Sequence, residues 1–349
     1  MRRGLRPGAR RLVLAAALAG AGLCLAACRQ TTPPGKRDAA GSPGAPMTVV
    51  DARAWLQDDT LPEGLDPLPG HATEPPLVVL ERGVGARALR LEPEVGTRQV
   101  LAVRVEQAVD EAVDGVAERV DFTVRLRVEL TVEERTTDGG LRGTLRIGGT
   151  TLEREPSEAE RIPVLRKAVA ELAGVAARVQ LGPFGDLMQA EWELPAGWSA
   201  EVRDAARMVT GTLELVASAL PAEPVGAGGR WGREFRSGPD SGLDATTRER
   251  FLLEALDGAR GRLRGRTRTR AGEQELQAPP DAADVQVRLL ELDLRDSTEL
   301  LFDLGRPLPL QGRRALSSIQ RRRQTVDGRT ELRETRTRTL LELEPAGDD

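Results

Sequence analysis

Val120-Asp121-Phe122-Thr123-Val124-Arg125-Leu126-Arg127-Val128-Glu129-Leu130-Thr131-Val132-Glu133 is the stretch that decides the fold class. Every even position is branched or aromatic, and every odd one is charged or threonine. Successive side chains of a strand point to opposite faces, so this period of two gives a strand with one face buried and one in water. Such strands belong to antiparallel sheets, because parallel strands covered on both faces read as continuous apolar runs. Leu101, Val103 and Val105 repeat the pattern upstream. Downstream, the turn signal Asp138-Gly139-Gly140 leads into residues 141–152, the expected hairpin partner.

Two helical segments interrupt the strands. Ser157 and Glu160 form a capping box before a run that ends at Gly174, with Ile162, Leu165, Val169 and Leu172 along one stripe. This places a helix near residues 158–173. A second, near 200–219, sets Val202, Ala205, Ala206, Val209, Leu213 and Val216 on its apolar side and stops at Leu220-Pro221. Strands resume at Trp231 and continue to Glu344, with turns signalled at Asp257-Gly258 and Asp327-Gly328. The order predicts an α+β fold: a curved antiparallel β-sheet of the open half-barrel type with two helices packed against it.

The chain starts with Arg2, Arg3, Arg6, Arg10 and Arg11, followed by a nearly uncharged run over residues 12–27. That run is shorter than the about 20 apolar residues a membrane span needs, and it reads as a signal peptide. Arg10-Arg11 belongs to an ordinary positive start rather than a twin-arginine signal. The closing Leu25-Ala26-Ala27-Cys28 resembles the lipobox of bacterial lipoproteins. The resemblance implies a signal peptide over 1–27, a lipidated Cys28 with a Pro/Gly/Ala-rich tether over 28–75, and a β-rich domain over 76–349. Residues 29–46 have a root-mean-square reach of about 25 Å. Each buried methylene of an acyl chain contributes about 0.8 kcal/mol, so several chains at Cys28 hold the protein at the membrane. Arg29 stands where such lipoproteins carry aspartate when retained at the inner membrane. Its presence implies an outer-membrane protein of the bacterial envelope, facing the periplasm or the cell surface.

Removing residues 1–27 takes away five arginines and no acid, so the formal charge moves from −4 to −9. Cys24 leaves with the signal and Cys28 is the anchor, which leaves the mature fold without a disulfide and dependent on its core. Lysine occurs only at Lys36 and Lys167, so arginine carries the positive charge.

Pro224-Val225-Gly226-Ala227-Gly228-Gly229-Arg230-Trp231, the strand Leu300-Leu301-Phe302-Asp303-Leu304-Gly305 and the arginine- and threonine-rich last hairpin resemble an uncharacterised family of bacterial secreted lipoproteins. Membership implies an envelope lipoprotein and supplies no catalytic residue. Read physically, Gly228 serves a tight turn and Trp231 anchors the core. The expected architecture is also similar to the half-barrel lipoprotein carriers, which hold acyl chains between helices and sheet.

Sites for chemistry are sparse. His71, the single histidine, lies in the proline-punctuated connector without a second histidine or cysteine to share a metal. Tyrosine is absent, as are a Gly-x-Ser-x-Gly elbow and a phosphate loop. Ser241, in the loop over 237–242, has no neighbouring base. No catalytic residue, metal or cofactor is expected.

The notable charge pattern is Arg260, Arg262, Arg264, Arg266, Arg268 and Arg270, which on one strand all point the same way over about 33 Å. One reading is contact with anionic sugars, phosphate headgroups or an acidic partner; the other is a solvated face paired with acids on adjacent strands. Register decides between them. A two-residue turn at Asp257-Gly258 sets Arg266 against Glu249, Arg264 against Phe251 and Arg262 against Leu253; a three-residue loop sets Arg262 against Glu254 and Arg266 against Arg250. Export and the absence of interleaved aromatics argue against nucleic acid. The sequence therefore points to a noncatalytic, membrane-anchored envelope lipoprotein that binds a hydrophobic or lipid ligand between helices and sheet. The alternatives are an assembly module contacting an envelope protein and a hydrolase with an unrecognised acidic site.

Overall fold

The computed structural model describes residues 77–156, 162–213, 220–237, 243–276, 285–326 and 328–346. Cys28, the signal and tether, His71, Ser157 and Glu160 of the capping box, Ser241 and Asp327 lie outside them. The chain runs β1 (Val78–Glu81), β2 (Val84–Arg87), β3 (Arg98–Val113), β4 (Val116–Arg135), β5 (Leu141–Arg154), α1 (Ile162–Glu171), β6 (Ala176–Leu181), β7 (Leu187–Trp192) and α2 (Ala200–Leu213). It continues through β8 (Val225–Ala227), β9 (Arg230–Ser237), β10 (Ala245–Asp257), β11 (Arg260–Ala271), β12 (Gln274–Leu276), β13 (Gln286–Asp303), β14 (Gln311–Val326) and β15 (Arg329–Pro345).

Among the described residues, thirteen strands form one curved sheet that does not close on itself. Its order is β1-β9-β10-β11-β13-β14-β15-β3-β4-β5-β6-β7, with β12 also on β13, and every pairing is antiparallel. β2 and β8 pair separately. The described parts of the two helices, Ile162–Glu171 and Ala200–Leu213, lie within the ranges the sequence suggests. Strands dominate, so the α+β label fits only loosely. No helix of the described residues is long and apolar enough to cross a membrane.

The alternating stretch is β4, and its even residues line the inner face. Leu126 opposes Val103, and Val128 opposes Leu101. On the other side of β3, Leu343 opposes Val103 and Leu341 opposes Val105. All seven are at most 2% exposed. Each such side chain contributes about 1.5–3 kcal/mol by leaving water. α1 adds Leu165 and Val169 to this core, joined by Leu172 just past its end, and α2 adds Ala206, Val209 and Leu213. Gly174, at φ 90°, ends the first helix by donating its N–H to the Ile147 carbonyl, which ties helix to sheet. The Pro224–Trp231 segment acts structurally, as its composition implies. Gly228 turns at φ 80° and bonds Leu253, while Trp231 is fully buried and stacks on Phe251 at 5.8 Å.

Further along the same strands the inner face changes character. β15 passes from Leu343 and Leu341 to Thr339, Thr337, Thr335 and Arg333, all buried. Arg322 and Arg333 stand directly opposite one another and share Glu111, whose Oε1 lies 3.7 and 3.5 Å from their guanidinium nitrogens. Arg333 also bonds Glu331 at 3.0 Å, but Nε and Nη2 of Arg322 make no hydrogen bond. Burial pulls the Arg322 guanidinium below its ordinary value, Glu111 opposing and Arg333 adding. Gln99 shows the satisfied alternative, donating to the Leu308 and Pro309 carbonyls at 3.1 and 3.0 Å and accepting from the Leu308 N–H at 3.0 Å.

A buried charge with incomplete partners is costly, whereas an apolar side chain of similar shape is not. Arg322→Met is expected to leave stability unchanged or raise it in chemical denaturation. Glu111→Ala, which strands the Arg322 guanidinium and leaves Arg333 with Glu331 alone, should cost about 3–5 kcal/mol.

Candidate functional site

Directly opposed residues on neighbouring strands share a face, so the registers fix what the outer face displays. Across the sheet from β10 to β5, one outer row is Arg250, Arg266, Ser297, Ala315, Leu340, Glu106, Thr123 and Arg154. The adjacent row is Arg248, Arg268, Arg295, Ser317, Arg338, Ala108 and Asp121. Both rows line a concavity of about 710 Å³. Long twisted strands make a sheet saddle-shaped, so the outer face hollows along one diagonal while the inner face wraps the core. Asp121 and Thr123 mark the hollow in β4: the sequence pattern turns them to water, yet they are only 9% and 4% exposed.

Arginine dominates the lining. Arg248, Arg268 and Arg295 stand in one register row on three adjacent strands, with Arg250 opposite Arg266 in the next. Like charges placed directly opposite repel, and carboxylates offset most of this. Arg248 Nε lies 2.6 Å from Glu234. Arg268 grips Asp293 in a bidentate pair at 3.0 and 2.9 Å, and Arg295 reaches the same carboxylate at 2.9 Å. At the far end Arg154 meets Asp121 at 2.6 Å and Arg119 meets Asp110 at 3.7 Å. Arg266 and Arg338 are different: both are exposed, and neither makes a hydrogen bond or ion pair among the described residues.

All six stripe arginines lie on β11, and they divide by turns. Arg260 pairs with Asp303 at 3.2 Å, and Arg264 with Glu254 and Glu299 at 3.0 and 3.3 Å. Arg262, Arg266 and Arg270 have no such partner among the described residues. Neither simple register holds throughout. Asp257 opposes Arg260, so the two-residue turn is Gly258-Ala259 rather than Asp257-Gly258, and Arg262 faces Ala255. A bulge between Leu253 and Ala255 then shifts the pairing, setting Arg264 against Leu252 and Arg266 against Arg250. The extra residue, Glu254, is the one that reaches Arg264. The stripe is thus half compensated, and only Arg266 and Arg268 of the six line the concavity.

The remaining lining arginines come from strands far apart in sequence, and their only sequence signal is the same alternation, as in Arg336-Thr337-Arg338-Thr339. The concavity and the helices occupy opposite faces. The interface where the sequence reading places a hydrophobic ligand is filled by Leu165, Val169, Leu172, Ala206, Val209 and Leu213, each no more than 6% exposed. No known protein family and no curated protein matches this chain, so the likeness at Pro224–Trp231 rests on its own residues.

Hydrogen bonds from Arg268 hold the Asp293 carboxyl at about 2, with Arg295 adding and burial opposing. Since that lies below the ordinary 3.8, ionised Asp293 contributes its full stabilisation above about pH 4 and loses it as pH falls toward 2. Asp293→Asn is expected to flatten this part of the acid dependence, measured as the fall in Tm between about pH 4 and pH 2.

Proposed function

We propose that this chain is a lipid-anchored, noncatalytic envelope protein that holds an anionic ligand against the arginine-lined outer face of its sheet. The observation that carries the binding reading is the clustering of arginines from seven of eight consecutive strands around one hollow, in a chain of formal charge −4. Guanidinium groups stay protonated at neutral pH and grip oxyanions through two parallel N–H donors, which suits them to holding a ligand rather than to exchanging protons with it. The ion pairs with Glu234 and Asp293 fix the bed, while Arg266 and Arg338 keep their donors free for a ligand.

The filled helix–sheet interface moves the ligand site to the opposite face and changes the ligand from hydrophobic to anionic. Location follows from the lipobox resemblance at Cys28, with the membrane as the partner of the anchor. Cys28→Ala should abolish palmitate labelling and move the protein from the membrane fraction to the soluble one.

For the ligand, calorimetric titration of the purified full chain with inorganic polyphosphate should show binding that weakens steeply as salt rises. Arg266→Glu combined with Arg338→Glu should lower the affinity at least about tenfold, since rim charges steer and hold anions. Equal affinity for the charge-reversed chain would remove the anionic reading.

A further inference from the structure

Resting on that reading, we infer that the ligand carries two oxyanion groups about 15 Å apart on a short neutral saccharide, one seated at Arg266 and the other at Arg338. The two free guanidiniums belong to β11 and β15, with β13 and β14 between them. Three strand spacings and one register row separate their backbones, which gives about 15 Å. The floor between them is neutral and low: Ser297 beside Arg266, then Ala315 and Ser317 on β14.

The three floor residues are exposed, and neither serine hydroxyl has a hydrogen-bond partner among the described residues. Short side chains let a flat ring approach the sheet, and free hydroxyls match sugar hydroxyls. A continuous polyanion fits less well, because the floor residues themselves are uncharged, Arg313 at their edge pairs with Glu342 at 3.9 Å, and Glu106 lies on the same register row beyond Leu340. Arg295 and Arg268 border the floor but are engaged by Asp293. Charge is therefore offered at two points with a neutral gap. A ligand matching both points gains from the second contact as an intramolecular event.

The test is a length series of maltooligosaccharides phosphorylated at both ends, titrated into the purified full chain, with singly phosphorylated counterparts and inorganic phosphate as references. Affinity should pass through a maximum along the series and exceed that of the matching singly phosphorylated sugar by about tenfold or more. Arg266→Ala and Arg338→Ala should each erase this gain, so that in either variant the doubly phosphorylated sugar binds no better than its singly phosphorylated counterpart. Competition of the best compound with vesicles carrying a doubly phosphorylated glycolipid, against competition with free sugar alone, separates a membrane source from a soluble one. Affinity independent of length, or a gain that survives Arg338→Ala, overturns the two-point ligand while leaving anion binding standing. Failure of every phosphorylated compound to bind overturns the proposed function itself.

Discussion

Everything in this fold depends on the registry of its long strands. With a side-chain period of two, slipping β3, β4 or β15 by one residue would send Val103, Leu126 or Leu343 into water and bring charges into the core. The apolar rows at one end of the inner face therefore lock the pairing along the whole length of each strand. The outer face inherits that lock without contributing to it. Arg248, Arg268 and Arg295 stand side by side because the leucines and valines behind them can pair in no other way.

Much of this was legible in the amino-acid order. The alternation from Val120 to Val132 and the stripes through Leu165 and Val209 gave the strands, the helices and the buried face, because burial imposes a strict local period. Two things were not legible. One was the bulge at Glu254, a single extra residue that obeys no local rule and decides what opposes Arg262 and Arg266. The other was the hollow, which comes from the twist of many strands together, so that a chain read one strand at a time shows arginines but not their convergence. Arg338 and Arg266 are 72 positions apart in sequence, and no short-range pattern connects them.

The electrostatics follow a division of labour between the faces. On the outer face, paired arginines such as Arg268 sit beside carboxylates that water still reaches, so their charges are cheap to keep and well placed. On the inner face, Arg322 lies behind β14 with its donors incompletely met. The same residue type is thus a recognition element on one side of a strand and a burden on the other.

The position of β15 carries a consequence for assembly. It is the last strand of the described chain, yet it lies between β14 and β3 in the middle of the sheet. Until it arrives, the strands that precede it form two halves that share no strand pairing, and its contacts with β3 close a loop of more than two hundred residues. A closure of that length is expected to make this pairing a slow and late step. Such an order leaves the sheet open along its central seam until the last strand is threaded through it.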